Sequence, residues 1–205
     1  PPPPARAAGG RPRSKRNDLA ILAAAREILI EEGYAALSYE AITQRTGIGR
    51  ATIYRRWASK MHLVDAIAHG GGAAAGGSPA SFASASEEGD FQTRLRGILN
   101  RMFAFYSRPE MPAAISGLMS EYKGRNNPGN ELRKPMELAA REDFARIVEA
   151  AGKSGEIRAD VDSDALFDIV VGAIVHRTVF SFMPAGAGLF EEIASIVLRG
   201  VAPKG

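Results

Sequence analysis

The chain has 205 residues, 45% of them hydrophobic, with a formal net charge of +3 and no cysteine. That length allows one or two domains, either able to bury a core, and the missing thiols exclude disulfides, thiolate catalysis and cysteine-ligated metals. The charge is uneven: residues 1–69 carry 11 Lys/Arg against 6 Asp/Glu, and the remainder 15 against 17, the footprint of a DNA-binding module joined to a non-binding body.

Residues 1–16, PPPPARAAGGRPRSKR, are dense in Pro and Gly and read as a disordered basic arm. Arg6, Arg11, Arg13, Lys15 and Arg16 suit a tail on phosphates or in a minor groove, and equally a solvated leader. The opening on proline reads as a start inside a longer chain, and the N-terminus lacks a signal-type apolar core. Asn17 or Asp18 caps a first helix that runs to about residue 32 and ends at Gly33, with Ile21, Leu22, Ala25, Ile28 and Leu29 as its buried stripe.

Ser38 caps a second helix from residue 39, with Ile42 facing inward. Gly47 ends it, because glycine enters the left-handed conformation without a Cβ penalty, and Ile48 plugs the turn. A third helix is expected over 50–57. Ile53 and Trp57, four apart, share its buried face, while Arg50, Thr52, Tyr54, Arg55 and Arg56 cover the others. Ser59 caps a fourth helix to residue 69, with Lys60 in its first turn. Tyr34, Leu37, Leu63 and Ile67 complete a small core in which Trp57 is structural. This is a helix-turn-helix whose second helix has a polar, basic outer surface.

The order of this stretch, Gly47-Ile48-Gly49 followed by Arg-Ala-Thr-Ile-Tyr-Arg-Arg-Trp-Ala-Ser-Lys, resembles the TetR family of bacterial transcriptional regulators. Thr52, Ile53, Tyr54, Trp57, Ser59 and Lys60 carry the resemblance, backed by Gly33-Tyr34 and Leu37, over residues 18–67. Thr43 and Thr46 stand where the family usually has alanine, and Gly49 stands at an N-cap where serine is common. Thr43 is expected to satisfy its hydroxyl by bonding back to a carbonyl.

Residues 70–86, GGGAAAGGSPASFASAS, form a low-complexity connection and the clearest domain boundary; no strand or GxxxxGK[ST] order makes a phosphate loop of its glycines. Helices are expected at 91–107, 110–122, 129–151, 164–182 and 188–200, with no period-2 alternation, so the chain reads as all-α. The helix at 164–182 is apolar around most of its circumference, which points to burial by its own bundle and by a partner subunit, together with Ile193, Ile196 and Val197 of the last helix. No segment reaches the ~20 apolar residues of a membrane span. The resulting division is a basic arm (1–16), a three-helix helix-turn-helix domain with its linking fourth helix (17–69), a flexible connection (70–86), and a C-terminal helical bundle (87–205).

Enzyme chemistry and metal sites find no support. Asp160, Asp162 and Asp164 mimic a calcium loop, but Ala165 stands where glycine is needed and Val171 where a bidentate glutamate is needed, so they read as acids at a helix N-terminus. His62, Asp65 and His69 share a helical face without a ligand motif and read as surface polar residues. No nucleophile elbow or triad signature occurs, and no cofactor is implied.

The function read from these residues is a sequence-specific DNA-binding regulator, a ligand-responsive repressor in the cytoplasm. Arg50, Thr52, Arg55 and Arg56 are the expected base readers, with Tyr54, Lys60 and Arg45 on phosphates of a double-stranded operator. The resemblance implies a homodimer, hence a near-palindromic operator, with a ligand-binding and dimerisation domain from about residue 87. Candidate pocket residues for an apolar or aromatic effector are Met102, Phe103, Phe105, Tyr106, Met111, Leu118, Met119, Tyr122, Phe144, Phe167, His176 and Phe180. For His176, an interface hydrogen bond or a surface edge stays open beside ligand contact. Two rival readings are a DNA-binding protein without an effector and an all-α small-molecule-binding protein that no longer binds DNA.

Overall fold

The computed structural model describes residues 12–68, 89–121, 128–181 and 188–203. Among these the regular elements are all helices: α1 (Pro12–Glu31), α2 (Tyr39–Thr46), α3 (Arg50–Tyr54), α4 (Lys60–Ala68), α5 (Phe91–Tyr106), α6 (Met111–Glu121), α7 (Pro128–Ser154), α8 (Ser163–Val175) and α9 (Leu189–Val201). The expected connection at 70–86 lies outside the described residues, as does the arm up to residue 11.

Three expected boundaries are corrected. α1 begins at Pro12, so the last five residues assigned to the arm are helical and neither Asn17 nor Asp18 is a cap. Proline at a first helical position lacks only an N–H that has no partner there, and its fixed φ is already helical. α3 stops at Tyr54 rather than at 57. Its last turn tightens, with Arg56 N–H donating to Ile53 O at 2.9 Å, and the Tyr39 hydroxyl takes the Trp57 carbonyl at 2.6 Å. α8 ends at Val175, and His176–Phe180 widen into a π turn. The Thr178 hydroxyl donates to Ile174 O at 2.8 Å, and Ser181 N–H reaches back five residues to His176 O at 2.8 Å.

Other local readings hold. The Ser38 hydroxyl accepts from Ala41 N–H at 3.1 Å, Gly47 sits at φ 70°, and Thr43 Oγ1 donates to Tyr39 O at 2.8 Å. Asp162 caps α8 through Ala165 N–H at 2.9 Å, which is the helix-terminus role in place of a calcium loop.

Two apolar cores divide the chain. The first gathers Ile21, Ile28, Leu37, Ile42, Ile53, Leu63 and Ile67 from α1–α4, each at 0–1% exposure. The second joins α5, α7, α8 and α9 through Leu95, Ile98, Leu99, Phe144, Val170, Ile174 and Ala194. Burying each large aliphatic or aromatic side chain contributes about 1.5–3 kcal/mol, so both bodies have a real driving force. α6 serves both. Its Ala114 and Leu118 belong to the first core, while the helix also packs on α5 and on the π turn. α8, the π turn and α9 leave Ile169 (59% exposed), Phe180 (51%) and Ile196 (64%) outside. Ile174 is fully buried and Val197 nearly so, and Ile193 packs partly against the second core, so of the apolar residues expected at a subunit interface these three serve the protomer's own core.

Candidate nucleic-acid interface

α3 owes its placement to one fully buried side chain, Ile53, and to the Gly47 turn that sets its angle against α2. Being five residues long, it has little propensity of its own and is held by packing. With Ile53 inward, helical geometry turns the adjacent Tyr54 off that face, and Arg50, the first residue of the helix, is exposed. The Arg50 side chain is 63% exposed, its guanidinium only 4.0 Å from Glu40. Tyr54 is 55% exposed, and its ring meets the edge of Tyr39 at 4.3 Å. Burial, with a smaller contribution from Tyr54, pushes the Tyr39 hydroxyl up to about 12, so it stays a neutral donor to Trp57 O. Arg55 is exposed in the turn after α3, and Thr52 is half-buried.

The remaining expected contacts are tied down within the protein. Arg45 lies among three glutamates of α1 and its end, with Glu32 at 2.7 Å, Glu31 at 2.8 Å and Glu27 at 3.5 Å. The Glu31 hydrogen bond leads in raising its already high pKa. Arg56 binds the carboxylate of Asp18 on α1. The Lys60 ammonium donates to Tyr34 O and stands 3.8 Å from the Tyr34 ring centroid; burial lowers its pKa, partly countered by Glu121. The seven cations and polar groups therefore sort into an outward set (Arg50, Thr52, Tyr54, Arg55) and an inward-bonded set (Arg45, Arg56, Lys60). The partners Asp18, Tyr34 and Glu121 carried no local signal, being 26 to 61 residues away in sequence from the cation each one meets or influences.

The expected pocket residues are not brought together either. Met102, Phe144 and Phe167 lie in the C-terminal core, the two rings 5.7 Å apart. Tyr106 flanks that core, and Phe103 stacks on Phe190 at 4.1 Å. Leu118 belongs to the N-terminal core, Met119, His176 and Phe180 are exposed, and Tyr122 lies outside the described residues. Met111 is fully buried, and Phe105 stacks under the Arg108 guanidinium at 4.4 Å. A groove of about 450 Å³ lies elsewhere, beside the C-terminal half of α7, lined by Val148, Gly152, Lys153, Arg158 and Val161 among others. Among the described residues no group of acids and histidines is arranged to hold a metal ion, and no helix is long and apolar enough to cross a membrane.

Residues 21–67 match the family model described as bacterial regulatory proteins, tetR family, and residues 85–197 match that of the tetracyclin repressor-like C-terminal domain. The chain belongs to the TetR family. It is accordingly a DNA-binding transcriptional regulator of a family that binds operator DNA as dimers and responds to small-molecule effectors. It is 23% identical over 198 residues, 94% of this chain and 93% of the relative, to the uncharacterized HTH-type transcriptional regulator YdeS of Bacillus subtilis. It is 25% identical over 171 residues, 80% of this chain and 83% of the relative, to the DNA-binding transcriptional repressor TetR of Mycobacteroides abscessus. Its fold is similar to that of the transcriptional regulator FadR from Bacillus subtilis in complex with stearoyl-CoA, with a TM-score of 0.67, 15% identity, and coverage of 89% of this chain and 98% of that one.

Proposed function

We propose that this TetR-family chain reads its operator through Arg50 and Arg55, with Thr52 and Tyr54 beside them, and releases it when an apolar or aromatic effector binds the C-terminal domain. The observation that carries this reading is the outward set on α3 and the turn after it: two exposed guanidiniums flank a helix fixed by a buried Ile53. An arginine bridges guanine O6 and N7, and a tyrosine hydroxyl suits a phosphate oxygen, which sets register without reading sequence. Arg45 and Arg56 act instead as internal ties that hold α2 and α3 against α1.

The division into a DNA-binding unit to about residue 69 and an effector and dimerisation unit from about 87 is supported by the two separate cores. The effector class is supported by the aromatic content of the second core, where Phe144 and Phe167 meet edge to face, and by the ligand of the similarly folded FadR. No enzymatic activity is part of this reading, and the protein works in the cytoplasm, where its operator is. The test is selection of duplexes from a random library by the wild-type protein, followed by binding titrations with apolar compounds that raise its melting temperature. Enrichment of a near-palindrome, released by a stabilising compound, is the expected result. Failure to enrich any sequence overturns the DNA-reading assignment, and stabilising compounds that leave operator affinity unchanged overturn the effector half.

A further inference from the structure

Tyr34, in the turn between α1 and α2, makes four contacts that together span the two bodies of the protein. Its ring lies against Gly117 in the middle of α6. A Cβ at position 117 would come within 2.0 Å of two ring carbons and 2.5 Å of a third. Its hydroxyl donates to Glu121 Oε1 at 2.5 Å, one helical turn further along α6. The Lys60 ammonium stands 3.8 Å from the ring centroid and donates to the Tyr34 carbonyl. Gly117 is not among the positive-φ glycines, so its backbone conformation does not call for glycine. Helix propensity argues against glycine there, since alanine is the better helix former. What excludes a side chain is the Tyr34 ring.

We propose that Tyr34 is a positioning residue whose seat on Gly117 transmits the position of α6 to the DNA-reading helix, an assignment that rests on the function proposed above. α6 is placed for this, since it packs on α5 and the π turn at one side and inserts Ala114 and Leu118 into the N-terminal core at the other. From Tyr34 two short routes reach α3. One runs through Lys60, the first residue of α4. The other runs along α2, whose Tyr39 hydroxyl holds Trp57 O at the end of α3. A shift of α6 that lifts Gly117 from the ring therefore moves both flanks of α3 together, giving effector and operator a shared structural element on which to act reciprocally.

The test uses the full-length protein, a duplex it selects from a random library, and a random-sequence duplex. Gly117→Ala drives a methyl group into the ring, so the ring must shift. Operator affinity, read at a temperature where the variant is fully folded, is expected to fall roughly tenfold, as for a coupled contact. The melting temperature is expected to fall as well, because displacing a packed ring outweighs the gain in helix propensity. Tyr34→Ala removes the obstacle, so the Gly117→Ala/Tyr34→Ala double variant is expected to bind no worse than Tyr34→Ala alone. Losses that simply add would show that the methyl group acts elsewhere than on the Tyr34 ring, and would overturn the seat. Tyr34→Phe, which keeps the ring and loses the Glu121 bond, is expected to weaken operator binding severalfold and leave random-sequence binding unchanged. Hydrogen exchange of residues 34–46 reads the same seat without DNA, and Gly117→Ala is expected to speed it. Operator affinity in Gly117→Ala within twofold of wild type, with unchanged exchange, overturns the proposal while leaving operator reading intact; enrichment of no sequence by the wild-type protein overturns the reading itself, and the exchange measurement still tests the seat.

Discussion

Arg108 Nη2 donates to the carbonyl oxygen of Ala68 at 2.5 Å, so a cation from the corner between α5 and α6 closes the last turn of α4. A positive charge there meets carbonyls that have no partner within the helix. Glu110, 6% exposed, lies 3.8 Å from Arg108 and 3.7 Å from Arg26 on α1, completing a bridge from body to DNA-binding head. Burial lowers the Arg108 pKa, with Glu110 countering it. Arg108→Ala is expected to lower unfolding free energy by about 1–3 kcal/mol, as for a half-buried donor whose acceptors lose their partner. Urea denaturation checks this, and a midpoint equal to wild type would show that the bridge carries no stability.

The outward and inward cations of the head are separable by experiment. Arg50→Ala and Arg55→Ala are each expected to weaken cognate binding by about 1–3 kcal/mol while changing random-sequence binding little. Arg45→Ala is expected to leave sequence preference unaltered, because its charge is already engaged by Glu27, Glu31 and Glu32. Library selection with each variant reads both outcomes. Unchanged preference in the Arg50→Ala/Arg55→Ala double variant removes α3 as the reader.

Subunit contact should run through the residues the protomer leaves uncovered. Ile169→Asp and Ile196→Asp are expected to give folded monomers with much weaker operator binding, since both side chains are more than half exposed in the protomer. Ile174→Asp is expected to unfold the domain instead, because that side chain is fully buried. Sedimentation and circular dichroism distinguish the two classes. A two-fold dimer places its recognition helices one DNA turn, ~34–36 Å, or a small multiple apart.

Acid sensitivity should be felt where α7 meets α5. The Glu156 carboxylate accepts from Phe91 N–H at 2.5 Å and from the Ser154 hydroxyl at 2.8 Å, and these bonds, in that order, lower its pKa. A carboxylate with a depressed folded-state pKa contributes stability above the ordinary carboxylate range and loses it as pH falls through that range. Glu156→Gln is therefore expected to be less stable than wild type at neutral pH, with the difference shrinking between about pH 5 and pH 3. A constant gap in melting temperature across that range would contradict the assignment.

Local chemistry was legible in the residues themselves. The Ser38 cap, the left-handed Gly47 and the Thr43 back-bond each depend on groups within four residues of one another, and each is found as expected. Of the acids expected at the N-terminus of α8, Asp162 is its cap. The buried stripe of α1 and the inward Ile42 and Ile53 follow from helical periodicity and are equally local. The end of α3 and the π turn after α8 escaped because they turn on hydrogen bonds that compete with the helical ladder, such as Tyr39 to Trp57 and Thr178 to Ile174. The early start of α1 escaped because Pro12 reads as part of the arm, although proline suits a first helical position.

By itself, then, the order of residues determined the helical class, the turn that presents α3, and the family. Which cations face outward was decided only by tertiary structure. Arg45, Arg50, Arg56 and Lys60 are alike as basic residues of one short stretch, and their fates diverge because acids or a carbonyl from α1 and its following turn fold onto three of them. The aromatic and methionine residues of the C-terminal half are likewise alike on paper. Whether such a residue lies in a core, on a surface or in the other body depends on how α5 to α9 pack, and apolar character alone carries no information about which neighbour buries it.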